Sequence, residues 1–258
     1  MKAMILGAGL GTRLRPLTDN RPKALVELSG RTLLEITLSR LRTFGITEVI
    51  INVHHFAGMV IDYLNSNNNF GMRIEVSREE VLLDTGGGLK KAAWFFLEDP
   101  ARLDESFLLH NVDVISNIDL RRMLQFHSES HALATLAVQD RETSRYLLFN
   151  EHLQLCGRRA GPGLTSGLTS NQPPDQKPEI VRPSVRLQSL AFSGIHVISP
   201  RLLPMLTEEG IFSIIPAYLR LASQGQPILA FRADTYYWRD LGRPSDLTQA
   251  AHDFQRNV

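Results

Sequence analysis

Apolar and polar positions run along the chain with two alternating periods. Met4, Ile5 and Leu6 form a short apolar run of the buried-strand type, residues 48–53 (EVIINV) form a second, and residues 72–76 can form a third. Between the first two, Leu34, Leu38 and Leu41 recur at helical spacing until Gly45 stops the run. Residues 60–64 lie in another helical segment, and residues 65–69 with Gly71 mark a turn. Strand, helix, strand, helix, strand within ~75 residues predicts βαβ units. The expected fold is therefore α/β, with a mostly parallel (mixed) central sheet and helices on both faces. Further on, residues 133–138 and 146–149 read as strands added antiparallel to that sheet, residues 189–198 as another strand, and residues 212–221 as an amphipathic helix. The full span 1–258 reads as a single domain. Its one interruption is a long loop at 157–184, where four glycines and five prolines replace any hydrophobic period. A loop that long is expected to be mobile or to act as a lid.

In such sheets ligands bind beyond the carboxyl ends of the strands. Strand 4–6 delivers Gly7, Ala8, Gly9, Gly11 and Thr12 at that edge. Alternating glycines leave amides bare of side chains, so a triphosphate can approach the main chain closely. Arg13, Arg15, Arg21 and Lys23 add positive charge around the same place. The spacing is G-x-G-x-G and Pro16 interrupts the following turn, which excludes the dinucleotide fingerprint. The chain has no G-x-x-x-x-G-K-[ST] run, which excludes the ATPase phosphate loop. A polyphosphate site of another kind is the remaining functional reading.

Two later stretches carry candidate chemistry. In 106–113 (SFLLHNVD), strand alternation puts Phe107, Leu109, Asn111 and Asp113 on one face and His110 on the other. A carboxylate arriving beside a bound triphosphate is a natural Mg²⁺ ligand, although Asp113 could equally cap the helix that follows. In 82–89 (LLDTGGGL), three glycines before a helix read as a bare backbone loop. His54 and His55 are adjacent, but neighbours in extended chain diverge and no metal-ligand spacing lies nearby, so they read as a polar strand end.

The run from Gly7 to Val26 (GAGLGTRLRPLT followed by PKALV), with LDTGGGL, FSGIHV and Tyr237-Trp238-Arg239-Asp240-Leu241-Gly242, resembles the sugar-1-phosphate nucleotidyltransferases, also called nucleoside-diphosphate-sugar pyrophosphorylases. Within them it is closest in motif to the N-acetylmuramate-1-phosphate uridylyltransferases and mannose-1-phosphate guanylyltransferases. The resemblance implies the Rossmann-like nucleotide-diphospho-sugar transferase architecture and transfer of a nucleotidyl group from a nucleoside triphosphate to a sugar 1-phosphate. It implies catalytic roles for Arg13 and Lys23, and nucleotide binding by Gly7, Ala8, Gly9, Gly11, Thr12, Arg13 and Asn111. Thr85, Gly86 and Gly87 are implied as a loop against the nucleobase. Ser193 and Gly194 are implied beside the sugar, although a β-bulge glycine accounts for Gly194 as well. Asp113 and Asp240 are implied as Mg²⁺ ligands. Two departures stand out: Val112 replaces a common glycine, and the E-K-P motif that grips the sugar phosphate in many relatives is missing.

Charge and composition narrow the picture further. With 28 basic and 27 acidic residues there is no global field to recruit nucleic acid or an anionic membrane, so neither is expected as a partner. The single cysteine, Cys156, and the lack of a signal-like or 18-residue apolar run before the first strand lead us to expect a reduced, cytoplasmic protein, monomeric or a small homo-oligomer. Two rivals remain at this level. One is a catalytically silent nucleotide-sugar-binding regulatory protein; the other is a cytidylyltransferase acting on phosphocholine or another small phosphate.

Overall fold

The structure is a computed structural model, which describes residues 1–161 and 187–257. The strands are β1 (Lys2–Leu6), β2 (Glu27–Leu28), β3 (Arg31–Thr32), β4 (Glu48–Val53), β5 (Arg73–Arg78), β6 (Phe107–Asn111), β7 (Val114–Ser116), β8 (Ala134–Gln139), β9 (Arg145–Phe149), β10 (Leu155–Ala160), β11 (Gln188–Ile198), β12 (Ile228–Arg232) and β13 (Trp238–Asp240). The helices are α1 (Leu33–Thr43), α2 (Ala57–Ser66), α3 (Asp84–Lys91), α4 (Ala93–Leu97), α5 (Leu120–Glu129), α6 (Ile214–Ser223) and α7 (Pro244–Asn257).

The central sheet runs in the order β10-β9-β11-β6-β1-β4-β5, with β8 and β12 joined through β11. Strands β6, β1, β4 and β5 are mutually parallel, as the alternation of apolar strand and amphipathic helix predicts. Beyond β6 the sheet turns antiparallel around the long strand β11, which pairs with β6, β8 and β9. Sheet parity divides the interior into two cores. Ala3 and Ile5 of β1, Val49 and Ile51 of β4 and Leu108 of β6 face a core closed by α1, α2, α5 and α7. Met4, Ile50, Phe107 and Leu109 face the other, closed by α3, α4 and α6.

Helix ends follow local chemistry. Thr32 accepts the Glu35 amide at 3.0 Å to start α1, and Asp119 accepts those of Arg121 and Arg122 to start α5. The Asp119 bonds also explain why Leu120 can enter a helix straight after an extended segment. No helix among the described residues is long and apolar enough to cross a membrane.

The structure corrects three sequence expectations. Residues 157–160 of the loop expected over 157–184 instead pair with β9 as part of β10, and the rest of that expectation, the lid included, falls on residues outside the described ones. The LDTGGGL stretch is not a loop, since Gly86, Gly87 and Gly88 are buried turns of α3. Strand parity does not carry to Asp113 either. β6 ends at Asn111, and Val112 and Asp113 form a turn into β7.

Candidate active site

β1 ends against the side chain of Asn52, whose Oδ1 accepts the Gly7 amide at 2.8 Å. A Cβ at Gly7 would stand 3.0 Å from the Asn52 carbonyl, so the first glycine lets the loop leave the sheet beside β4. Gly11 has φ +65°, and a Cβ there would meet the Thr18 methyl at 2.9 Å. Thr18 Oγ1 in turn donates to the Gly11 carbonyl at 2.9 Å, folding the proline-containing segment back over the loop. Gly9 and Thr12 are left exposed on the outer side, and Ala8 is buried beneath.

Two basic side chains of this segment turn toward carboxylates from distant parts of the chain. Lys23 Nζ is paired with Asp113 Oδ2, both side chains being nearly buried. Arg13 Nη2 lies 4.0 Å from Asp240 Oδ1 and keeps 59% of its side chain exposed. Arg15 instead pairs with Asp19 at 3.3 Å in solvent. Of the expected charge cluster, Arg13 and Lys23 meet the carboxylates and Arg15 does not.

Asp113 and Asp240 do come together, although by a route that strand parity does not supply. β13 pairs antiparallel with β7 with Asp240 opposite Val114, and the Leu241 amide donates to the Asp113 carbonyl at 2.8 Å. Tyr237 N donates to Asn117 Oδ1 at 2.7 Å, pinning the start of the ladder. Burial, followed by the charge of Asp113, raises the Asp240 carboxyl above its ordinary range, against the opposing pull of Lys23, the Gly242 amide and Arg13. Two carboxylates held this close with Lys23 inserted beside them form a site that accepts positive charge. Among the described residues there is no cluster of three or more metal-ligating side chains, so protein ligands to a cation would number two.

The remaining candidates separate. Asn111 ends β6 with its Nδ2 against Gly194: a Cβ at Gly194, where φ is +72°, would come within 2.8 Å of it. Gly194 is thus the bulge glycine of β11, where pairing with β8 slips between Phe192 and His196. Ser193 is fully buried; its carbonyl accepts from Trp238 Nε1 at 2.7 Å, while its own hydroxyl has no partner. Val112 turns its side chain into the core. Thr85, Gly86 and Gly87 do not form the bare wall expected for a base. Thr85 Oγ1 accepts the Ile214 amide at the start of α6, the Gly86 and Gly87 amides donate to the Phe212 carbonyl, and Gly87 faces the Gly210 carbonyl. The glycines are needed because the Phe212 ring lies against Gly86 and the Gly210 carbonyl against Gly87. His110, on the opposite parity, bonds the Asn111 carbonyl through Nδ1 and is held neutral by burial, which lowers it to about 4.

Two positions that shape the site, Asn52 and Glu79, escape a reading by motif, and the contact made by Gly242 of the last motif does too. Asn52 and the buried Glu79 connect the phosphate loop to α3: Asn52 Nδ2 donates to Glu79 Oε1 at 2.7 Å, and Glu79 Oε2 accepts the Leu83 amide at 2.9 Å. Gly242 lies under Arg13, where a Cβ would stand 2.6 Å from the guanidinium Nη2. The Asn at the end of an apolar strand and the Gly two residues after Asp240 are the only signals in the sequence. An open cavity of about 520 Å³ lies beside this network, lined by His54, His55, Phe56, Arg78, Glu79 and Glu80.

The family model for nucleotidyl transferases matches residues 2–148. An N-acetylmuramate alpha-1-phosphate uridylyltransferase of Caulobacter vibrioides is 31% identical over 247 residues, covering 94% of this chain and 92% of its own. A mannose-1-phosphate guanylyltransferase of Mycobacterium tuberculosis is 26% identical over 269 residues, covering 99% of this chain and 65% of its own. Among solved structures, HddC from Yersinia pseudotuberculosis complexed with GMP-PN superimposes with a TM-score of 0.71 at 20% identity, over 98% of this chain and 99% of that one, and so shares the fold. The glycine loop, the strand order and the matched span agree: the chain belongs to the nucleotidyl transferase family.

Proposed function

We propose that this protein transfers a nucleotidyl group from a nucleoside triphosphate to a sugar 1-phosphate, giving a nucleotide sugar and pyrophosphate. The observation that carries this reading is the convergence of Arg13 and Lys23, from the glycine loop and its return, on Asp113 and Asp240 at the carboxyl edge of the sheet. A protein that only sensed nucleotide sugars would have no need for all four groups at one point.

A phosphate oxygen of the sugar 1-phosphate attacks the α-phosphorus. The new P–O bond forms as the bond from the α-phosphorus to the oxygen bridging to the β-phosphate breaks, and pyrophosphate leaves with that electron pair. The nucleophile is already ionised at neutral pH, so no protein base is required. Both reactants are anions, and the work of the site is alignment and charge neutralisation. The loop amides beyond Gly7, whose own amide Asn52 holds, cradle the triphosphate, Arg13 reaches its outer oxygens, and Lys23 exchanges the Asp113 carboxylate for a phosphate oxygen. Asn111 stands at the same strand end. Asp113 and Asp240 are the residues that would hold Mg²⁺, and the raised carboxyl of Asp240 fits a pair built to take up a cation. Mg²⁺ held there would supply neutralising charge for the triphosphate.

The test is pyrophosphate release from four nucleoside triphosphates, each paired with glucose, mannose and N-acetylmuramate 1-phosphates, with phosphocholine as the non-sugar control. Turnover with at least one sugar 1-phosphate and none with phosphocholine is expected. Turnover with phosphocholine alone, or none at all from folded protein, overturns the reading.

A further inference from the structure

Arg141, in the turn between β8 and β9, lies on the ring of Trp238 with its guanidinium carbon 3.7 Å from the centroid. Its Nη2 donates to the Phe192 carbonyl at 2.8 Å, but its Nε is buried without a partner. Among the described residues no carboxylate is in contact with it. The adjoining residue on β11, Ser193, carries the other orphan, a fully buried hydroxyl with no hydrogen bond. Trp238 ties the two together, taking the cation on its face while its Nε1 donates to the Ser193 carbonyl. Buried donors are normally satisfied, so two unmade bonds on either side of one indole ring mark a place that no described residue completes.

The position of Arg141 says what it can meet. Trp238 and Asp240 are two residues apart in β13 and so share a face of it. Arg13 sits at the Asp240 and Gly242 end of that face, and Arg141 at the Trp238 end, within reach of the Asp240 charge. The carboxylate pair is therefore flanked by two separate sets of cations. A reaction joining two phosphate esters needs two anion sites on either side of its centre, and the glycine loop supplies only one of them. Burial lowers the Arg141 guanidinium from its ordinary value, yet an arginine stays charged, so the site presents a desolvated cation that lacks an anion in contact.

We propose that Arg141 binds the phosphate of the sugar 1-phosphate, with Trp238 as the platform that holds the guanidinium. This rests on the nucleotidyl-transfer reading above. The planar fork of Arg141 would engage two phosphate oxygens and leave the third free to attack the α-phosphorus.

The experiment is steady-state kinetics of wild type, Arg141→Lys and Arg141→Met with the best sugar 1-phosphate from the panel, varying each substrate in turn, with inorganic phosphate as an inhibitor. In Arg141→Met the KM for the sugar 1-phosphate should rise ~10- to 100-fold, the loss expected for charge-assisted hydrogen bonds, while the KM for the nucleotide changes by less than about 3-fold. Inhibition by inorganic phosphate, competitive with the sugar 1-phosphate, should weaken in parallel. Arg141→Lys, which keeps the charge but loses the fork, should fall between the two. If Arg141→Met does not fold, the same comparison is made between wild type and Arg141→Lys. An unchanged KM for the sugar 1-phosphate, or equal rises for both substrates, in whichever variant folds overturns the proposal. A wild type inactive with every sugar 1-phosphate overturns the parent reading instead, so the two failures are distinguishable.

Discussion

Individual side chains at the site differ in what holds them. The Arg13 guanidinium is mostly in solvent and 4.0 Å from its carboxylate, a contact that contributes at most ~1 kcal/mol to folding. Its value lies in the position that the bare Gly242 allows it. Arg13→Ala should therefore leave the melting temperature nearly unchanged while lowering turnover ~10²-fold or more, the loss typical of one preorganised charge-stabilising donor. Pyrophosphate release near the wild-type rate would remove Arg13 from the mechanism. Lys23 is different, because both it and Asp113 are nearly buried and Asp240 lies beside them. Removing the lysine strands two carboxylates together, whereas removing the Asp113 charge relieves one repulsion and strands one cation. Thermal denaturation in chelator should accordingly rank wild type above Asp113→Asn and Asp113→Asn above Lys23→Met. The reverse order of the two variants would show that the carboxylate pair exerts no repulsion in the free protein. Both carboxylates are visible in the sequence as motif residues. Asn52, Glu79 and Arg141 are not, because their roles arise from contacts across β4, β5, β8 and β11 that no local pattern records.

At the level of elements, the regular period of apolar residues makes β1, β4, β5, β6, α1 and α2 legible, since each buries a face fixed by its own spacing. What the period misses is short or closed by partners far away: β7 with β13, the two-residue hairpin strands β2 and β3, and α3 with its three glycines. Helix propensity argues against α3, with glycine about 1 kcal/mol less favourable than alanine at each interior position. Packing overrides it. A Cβ at Gly87 would lie 2.5 Å from the Gly210 carbonyl oxygen, and one at Gly88 would lie 2.7 Å from Glu79 Oε1. In an open helix Gly87→Ala would stabilise by roughly 1 kcal/mol. Here the steric conflict with a backbone oxygen, of the ~1–3 kcal/mol size seen when a filled core is overpacked, should win. Urea denaturation should show Gly87→Ala less stable than wild type. A more stable variant would mean that α3 does not sit against the 210 turn as described.

Across the whole molecule, the two cores on opposite faces of the sheet each enclose an uncharged histidine. His127 of α5 bonds Thr135 Oγ1 at 2.9 Å, and burial, aided by the charge of Arg201, lowers it to about 4. His196 of β11 bonds the Tyr218 hydroxyl of α6 at 2.9 Å, and burial, with the nearby His110, lowers it to about 3. The ordinary value of these groups is 6.5, so the unfolded chain takes up protons below that pH while the folded chain does not. By linkage the folded state loses stability as pH falls from 6.5 toward 4, and the loss from His196 continues toward 3. Paired surface carboxylates act in a lower window. Glu98, held down to about 2 by Arg73 and Lys2, contributes stability above 4.5 that disappears only as pH drops further toward 2. Urea midpoints measured from pH 7.5 to 4.5 thus isolate the histidines, and a steady decline is expected below 6.5. Replacing both by glutamine, His127→Gln with His196→Gln, keeps a hydrogen-bonding group in each core and removes their share of the titration, leaving that of His110. The double variant should be less stable than wild type at pH 7.5 but should lose less on acidification, so the two curves converge toward pH 4.5. Parallel curves would show that these histidines are not held neutral by the two cores and that acid sensitivity arises elsewhere.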